Sequence, residues 1–271
     1  MLTILNSISS LTAENALSTT QADLQKTLTE LSTGLKINAG SDDAAGLSIA
    51  NGLQANIAAL TQSSQNASDG VGLLQTADGA LSQVTALLDR AITLATEAST
   101  GGLSPSQATA LDTEYQSILT EVGNIGSTTN YNGTAVFGTT ANVYTSDGTA
   151  SGSSTIATTI NALTTTALGL VGTNLTSTAN AQAALADIST AIGTVAANRG
   201  TIGASVNRLN ADTNVENTEV TNLTAAQNNI QNADIGQTVA QMTQYSVLQQ
   251  TGMQALSQSN QAQQAILKLL Q

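Results

Sequence analysis

From Leu185 to Ile230 apolar residues return at alternating spacings of three and four: Leu185, Ile188, Ile192, Val195, Ile202, Val206, Leu209, Val220, Leu223 and Ile230. Arg199, Thr213, Glu216 and Gln227 interrupt the stripe without shifting its phase. This is the heptad pattern of a long coiled-coil helix. A narrow apolar stripe cannot be buried by the helix that carries it, so the rest of the chain must supply partners. Toward the N-terminus, Ile4, Ile8 and Leu11 open a second stripe that runs on through Leu17, Leu24, Leu28, Leu31 and Leu35. Asn38 to Ser41 reads as a break, with Ser41 or Asp42 capping a new helix and Asp42 and Asp43 in its first turn, where carboxylates complement the helix dipole. Ile49, Leu53, Ile57 and Leu60 carry the next stripe. Gly70 and Gly72 are expected to loosen it before Leu74, Leu81, Val84, Leu88 and Ala95 resume. A turn at Gly101 to Pro105 leads to Leu111, Tyr115, Ile118, Val122 and Ile125. After Ile230 the helical spacing continues through Ile235, Val239, Met242, Tyr245, Leu248, Leu256, Ile266 and Leu270.

The character changes between these arms. Tyr131-Asn132-Gly133-Thr134 is a hairpin-turn signal, with Val136, Phe137, Val143 and Tyr144 following as strand formers. Nearly half of residues 139–179 are Ser or Thr, and Asp147 is the one charge there. The expected fold is therefore mainly α. Long heptad-patterned helices from both chain ends form an antiparallel coiled coil and helical bundle, with a small insertion that contains a β-hairpin.

Composition narrows the chemistry. Charged residues are only 9% of the chain, whereas free coiled coils usually carry many flanking charges. Uncharged Ser, Thr, Asn and Gln faces pack at low desolvation cost, which points to surfaces meant to be covered by other subunits. A net charge of −12 with six scattered basic residues argues against nucleic acid. The absence of His and Cys removes the commonest general base, the commonest metal ligands and any disulfide framework. Asp42 and Asp43 are adjacent and so do not face one another on a helix, which favours capping over metal or acid–base work. Arg208, in Asn207-Arg208-Leu209, reads as an inter-helix or interface arginine. No serine has a histidine partner, so no enzyme, catalytic residue, cofactor or metal site is expected. No apolar run reaches membrane-spanning length, and the N-terminus lacks the basic and apolar regions of a cleavable signal.

Ser32-Thr33-Gly34-Leu35-Lys36-Ile37-Asn38, followed by Asp42-Asp43-Ala44-Ala45-Gly46-Leu47-Ser48-Ile49-Ala50, resembles the N-terminal signature of bacterial flagellin. The likeness continues at Asn66-Ala67-Ser68-Asp69-Gly70, Leu74 to Leu81 and Tyr131-Asn132-Gly133. On the return arm, Gly203 to Leu209 with Asn207 and Arg208, Asn232-Ala233-Asp234-Ile235 and the closing Ile266-Leu267-Lys268-Leu269-Leu270 resemble its C-terminal signature. The resemblance covers roughly residues 1–133 and 180–271, and the insertion between them does not match. Lys36 stands where the family more often has Arg, keeping the charge but not the bidentate fork.

The resemblance implies a secreted structural subunit of the extracellular flagellum that polymerises with itself into the helical filament. It implies an inner coiled-coil layer of residues 1–40 with 236–271 and an outer bundle of 41–133 with 180–235. Residues 134–179 are then a short, exposed strand-and-loop insertion, either sugar-bearing or simply solvated. It also implies export of an unfolded chain through the flagellar type III apparatus and partnership with an export chaperone and with cap and junction proteins. The thin terminal seams are expected to be ordered by assembly. Arg90, Leu94 and Glu114 fall where members seen by an animal Toll-like receptor carry their contacts, although Asp89 to Thr93 departs from the more charged run usual there. Two other readings stay open: a hook–filament junction protein, and a signalling rod like the cytoplasmic part of a chemoreceptor.

Overall fold

The computed structural model describes residues 8–147 and 154–269. Ile4, Leu270 and part of the Ser/Thr tract (148–153) lie outside the described residues. Five helices and four short strands follow in the order α1 (Ile8–Thr33), α2 (Ala44–Ala98), α3 (Pro105–Thr128), β1 (Asn130–Tyr131), β2 (Thr134–Ala135), β3 (Thr139–Thr145), β4 (Ser154–Ile160), α4 (Thr178–Gln231) and α5 (Ile235–Leu269). The heptad stretch is one unbroken helix, α4. The chain divides into two compact units, Met1–Ala55 with Asn222–Gln271 and Asn56–Thr221.

The unit of residues 56–221 owns the core. Leu74, Leu81, Val84, Leu88 and Leu94 of α2 are fully buried, as are Tyr115 and Val122 of α3 and Ile188, Val195 and Leu209 of α4. Between α2 and α3 the chain turns sharply. Ser104 accepts the Gln107 N–H at 3.3 Å while its own N–H donates to Gln107 Oε1 at 2.9 Å, and Pro105 occupies the first turn. This capping box, with a proline whose missing N–H costs nothing there, makes an abrupt helix start. Beyond α3, Asn132 and Gly133 take φ of 51° and 78°, the left-handed pair that a two-residue hairpin turn needs, and β1 and β2 register Tyr131 against Thr134.

Three expectations change on contact with the structure. Gly70 and Gly72 do not weaken α2, which runs through both. A Cβ at Gly70 would come within 2.5 Å of Val143 Cγ2, and one at Gly72 within 2.9 Å of the Tyr131 hydroxyl, so the glycines let the two hairpins lie against the helix. Val136 and Phe137 are buried in the connection between hairpins rather than in a strand. The insertion is also not simply exposed. In the β3–β4 hairpin, Val143, Ile156 and Ile160 face inward while Thr140, Thr155 and Thr159 face out. Leu163, Leu168, Leu170 and Leu175 then pack into the same core. The loop is tied to α3, where Asp112 Oδ1 accepts the Leu175 N–H at 2.8 Å and the Tyr115 hydroxyl meets Thr173 Oγ1 at 2.6 Å. Burial pushes the Tyr115 phenol above its ordinary value, and the Thr173 bond opposes that shift.

The other unit pairs α1 with α5, which run antiparallel: Leu17 packs on Gly252, and Gly34 accepts the Ala233 N–H at 2.9 Å. Among its described residues the buried apolar side chains are Ile37 and Ala50, joined by Thr27 and Thr238.

Gly126 and Gly123, both within α3, separate packing from propensity. A Cβ at Gly126 would collide with the carbonyl of Leu163, whereas one at Gly123 meets nothing within 4 Å. Gly126→Ala is expected to destabilise the protein by more than about 2 kcal/mol. Gly123→Ala should stabilise it by roughly 0.5–1 kcal/mol. Urea midpoints of the two variants check both signs.

Candidate assembly surface

The two signature stretches, far apart in sequence, form one joint. Gly34, at φ 74°, ends α1 in the left-handed conformation that a glycine adopts without strain. The strand-like piece that follows lies against the link between α4 and α5: Leu35 bridges Asn232, and the Lys36 N–H donates to Gln231 O at 2.7 Å. Lys36 Nζ also reaches Asn229 O at 3.5 Å. Asn38 Nδ2 donates to Leu35 O at 2.7 Å, holding the turn. Asp42 Oδ2 accepts the N–H groups of Asn38 and Ala39, each at 3.0 Å, and Lys26 stands 3.5 Å from its other oxygen. These donors, the Asn38 and Ala39 amides first, hold the Asp42 carboxyl below its ordinary value. Asp43, not Asp42, caps α2, accepting the Gly46 N–H at 2.9 Å. Any side chain at Gly46 would strike Asp43 and Ile37. Asp234 caps α5 in the same way, accepting the Gln237 N–H at 3.2 Å. Both aspartates are thus occupied with backbone amides, and among the described residues no cluster of three acidic side chains could hold a metal ion.

Around this joint the terminal helices leave their apolar faces uncovered. Ile8, Leu11, Leu28, Ile49, Ile235, Val239, Val247, Leu248 and Met253 belong to this unit, and they are nine of the twelve large apolar residues exposed among the described residues. Covering nine half-exposed side chains of this size is worth on the order of 10 kcal/mol before the costs of association. A pair of helices with this much uncovered surface and almost no core of its own is built to be packed against something else.

In the unit of residues 56–221, Asn66, Asp69 and Gly70 line an open groove with Leu73, Tyr131 and residues 141–144. Asn66 accepts from Gln62 Nε2 at 3.0 Å. Exposed Asn207 and Arg208 lie on α4. Arg208 borders a groove with Ile156, Ala211, Asp212 and Val215, and alone of the three arginines it makes no ion pair among the described residues. Arg90 donates to Glu114 Oε1 from Nε at 2.9 Å and Nη2 at 2.7 Å, so α2 and α3 spend these two charges on each other. Leu94 is 1% exposed and belongs to the core, which removes it from any surface contact. The side chain of Leu269 and all of Leu270 lie outside what is described.

The sequence stripe did not separate three seam residues that the structure shows to be paired. Arg199 forms a two-pronged bridge to Asp78 at 2.8 and 3.3 Å, Glu216 bonds Ser63, and Gln227 donates to Gln54 at 2.8 Å. Each is a polar interruption of the heptad on α4 matched by a polar residue on α2, a signal that only a search for paired interruptions would have found.

Comparison with known proteins bears directly on this surface. Residues 4–142 match the bacterial flagellin N-terminal helical region, and residues 185–270 match the bacterial flagellin C-terminal helical region. The chain is similar to Flagellin 1 of Proteus mirabilis, 39% identical over 127 residues that make up 47% of this chain and 35% of that protein. It is likewise similar to the phase 1 flagellin of Salmonella naestved, 40% identical over 131 residues, 48% of this chain and 26% of that one. The matched part therefore spans about a third or less of these relatives. The crystal structure of Bacillus cereus flagellin superposes with a TM-score of 0.51 at 32% identity, covering 60% of this chain and 94% of that one.

Asp42 supplies a test of the joint. Its folded-state value is depressed, so its stabilising contribution is present above the unfolded value of 3.8 and is lost as pH falls from there through the folded value. Asp42→Asn should lower the urea midpoint near neutrality, with the two curves converging in acid. A gap that persists unchanged to low pH would show that the carboxylate is not what holds the turn.

Proposed function

Because the chain belongs to the bacterial flagellin family, we propose that it is a structural subunit that polymerises with itself into the helical filament of the extracellular bacterial flagellum, serving swimming motility. The observation that carries this reading is the uncovered apolar face of the α1–α5 pair. A heterologous contact repeated without closure generates an open helical filament, and the uncovered apolar faces of α1 and α5 offer broad surface for such contacts.

Residues 1–40 with 236–271 form the inner layer in this reading, because they hold most of the exposed apolar side chains and bury almost nothing themselves. Residues 41–133 with 180–235 form the outer bundle. Residues 134–179 lie outermost, with the Thr-rich outer faces of β3 and β4 toward solvent. Free in solution, the terminal helices exchange with unfolded conformations, and assembly orders them by supplying the missing burial. Export as an unfolded chain through the flagellar type III apparatus fits a protein with no cysteine to cross-link. An export chaperone is expected to shield the same apolar faces, and the cap and junction proteins to meet them at the filament ends. Recognition by a Toll-like receptor is not part of this proposal: Leu94 is buried and Arg90 is engaged with Glu114.

Purified protein mixed with filament seeds should elongate into long fibres visible by negative stain. Leu28→Glu and Val247→Glu place a carboxylate on the exposed faces and should each cut the pelletable fraction at least about tenfold, the equivalent of roughly 1.4 kcal/mol per contact. Monomer helicity by circular dichroism should be unchanged. Wild-type protein that stays monomeric with competent seeds, or variants that elongate normally, would overturn the reading.

A further inference from the structure

Glu216 is 5% exposed on the inner face of α4. Its Oε1 accepts a short hydrogen bond from the Ser63 hydroxyl of α2. That hydroxyl oxygen in turn accepts the N–H of Ser146, the residue after β3, at 2.9 Å. One carboxyl group thereby connects two helices and the end of a hairpin strand. Its second oxygen, Oε2, is buried and has no hydrogen-bond partner among the described residues. Where a heptad seam would hold a leucine-sized apolar residue, this chain buries an acid with half its acceptors unmet.

Among the described residues no cation forms an ion pair with Glu216. On α4, Asp212 and Glu219 lie one turn to either side, and Arg208 borders the groove on the far side of Asp212. On α2 the nearest ionisable side chain in sequence is Asp69, because residues 44–68 contain none. At the hairpin, Asp147 follows Ser146, and β4 carries no charge. An ionised carboxylate in such a place bears a desolvation cost for its charge as well as the unpaired oxygen. The neutral acid bears only the second, smaller cost.

We propose that Glu216 is a proton-operated latch: neutral, it holds the Ser146 end of β3 to the α2 and α4 helices through Ser63; ionised, it turns toward solvent and releases that end. Burial is the main cause that raises its folded-state value, the charges of Asp212 and Glu219 act the same way, and the Ser63 bond opposes them. The sign follows. A carboxyl raised above its unfolded value of 4.5 stabilises the fold most below that value, and the contribution is lost as pH rises through the folded value. Acid therefore closes the hairpin onto the bundle, opposite in direction to the Asp42 effect.

Amide hydrogen exchange on the full chain tests this from about pH 4, below the unfolded value, to about pH 8, after correction for the base dependence of the chemical step. Protection at the Ser146 end of β3 should be highest in acid and fall as pH rises. In Glu216→Gln, neutral at every pH and able to accept from Ser63, the fall should vanish. In Ser63→Ala, which removes the link between Glu216 and Ser146, the pH dependence of protection at Ser146 should be gone, a second route to the same answer should the glutamine variant fold poorly. Carbon-13 titration of the Glu216 carboxyl should give a midpoint above the ordinary range. A Glu216→Gln profile that keeps the wild-type slope, or a Glu216 midpoint at or below the ordinary value, would overturn the latch.

Discussion

Two long helices wound together bury only the seam between them, and everything distinctive about the terminal unit follows from that limit. Among the described residues, the α1–α5 pair and the joint beneath it leave Ile37 and Ala50 as their buried apolar side chains, while Leu28, Val247, Leu248 and Met253 remain exposed. Local bonds make the joint well defined without making it stable. The caps of Asp43 and Asp234, the Asp42 turn and the Leu35–Asn232 bridge satisfy backbone groups, which avoids a penalty rather than supplying a driving force. The driving force has to come from covering the apolar faces. In the filament reading proposed above, a second copy of the chain supplies that cover.

The unit of residues 56–221 solves the same geometric problem differently. It adds a third helix and two hairpins to the α2–α4 pair, so that Leu74, Leu88, Tyr115, Ile160, Leu170 and Ile188 all reach complete burial. This is why the insertion matters structurally despite its Ser/Thr content. Its Leu163, Leu168, Leu170 and Leu175 close the core, and Gly70 and Gly126 are places where its side chains or backbone come too close for a Cβ. Removing the inner faces of the insertion would expose the core it seals.

Polar residues set in the seam trade stability for registry. Arg199 with Asp78, Glu216 with Ser63 and Gln227 with Gln54 each find their partner in one alignment of α2 against α4. A slip by one helical turn would break these pairs and leave Glu216 and Ser63 buried without each other, at a cost that a purely aliphatic seam of Leu, Ile and Ala would not impose. Glu216 is the extreme of the three because its pairing is incomplete even in the correct register.

By itself the sequence determined the helical architecture, the breaks and the turns. Heptad spacing, Gly34, Ser104-Pro105 and Asn132-Gly133 are local signals, read within a few residues, and local physics decides them. It also carried the two family signatures, but not that Gly34-Leu35-Lys36 and Gln231-Asn232-Ala233 lie side by side, because nothing local links residues so far apart. The cap at Asp43 rather than Asp42, the burial of Leu94, the helical continuity through Gly70 and Gly72 and the sealing role of the Ser/Thr-rich insertion were decided only in three dimensions. In each case the outcome depends on what a distant segment places against the residue, and a carboxyl, a leucine or a glycine reads the same in sequence whether that neighbour is water or core.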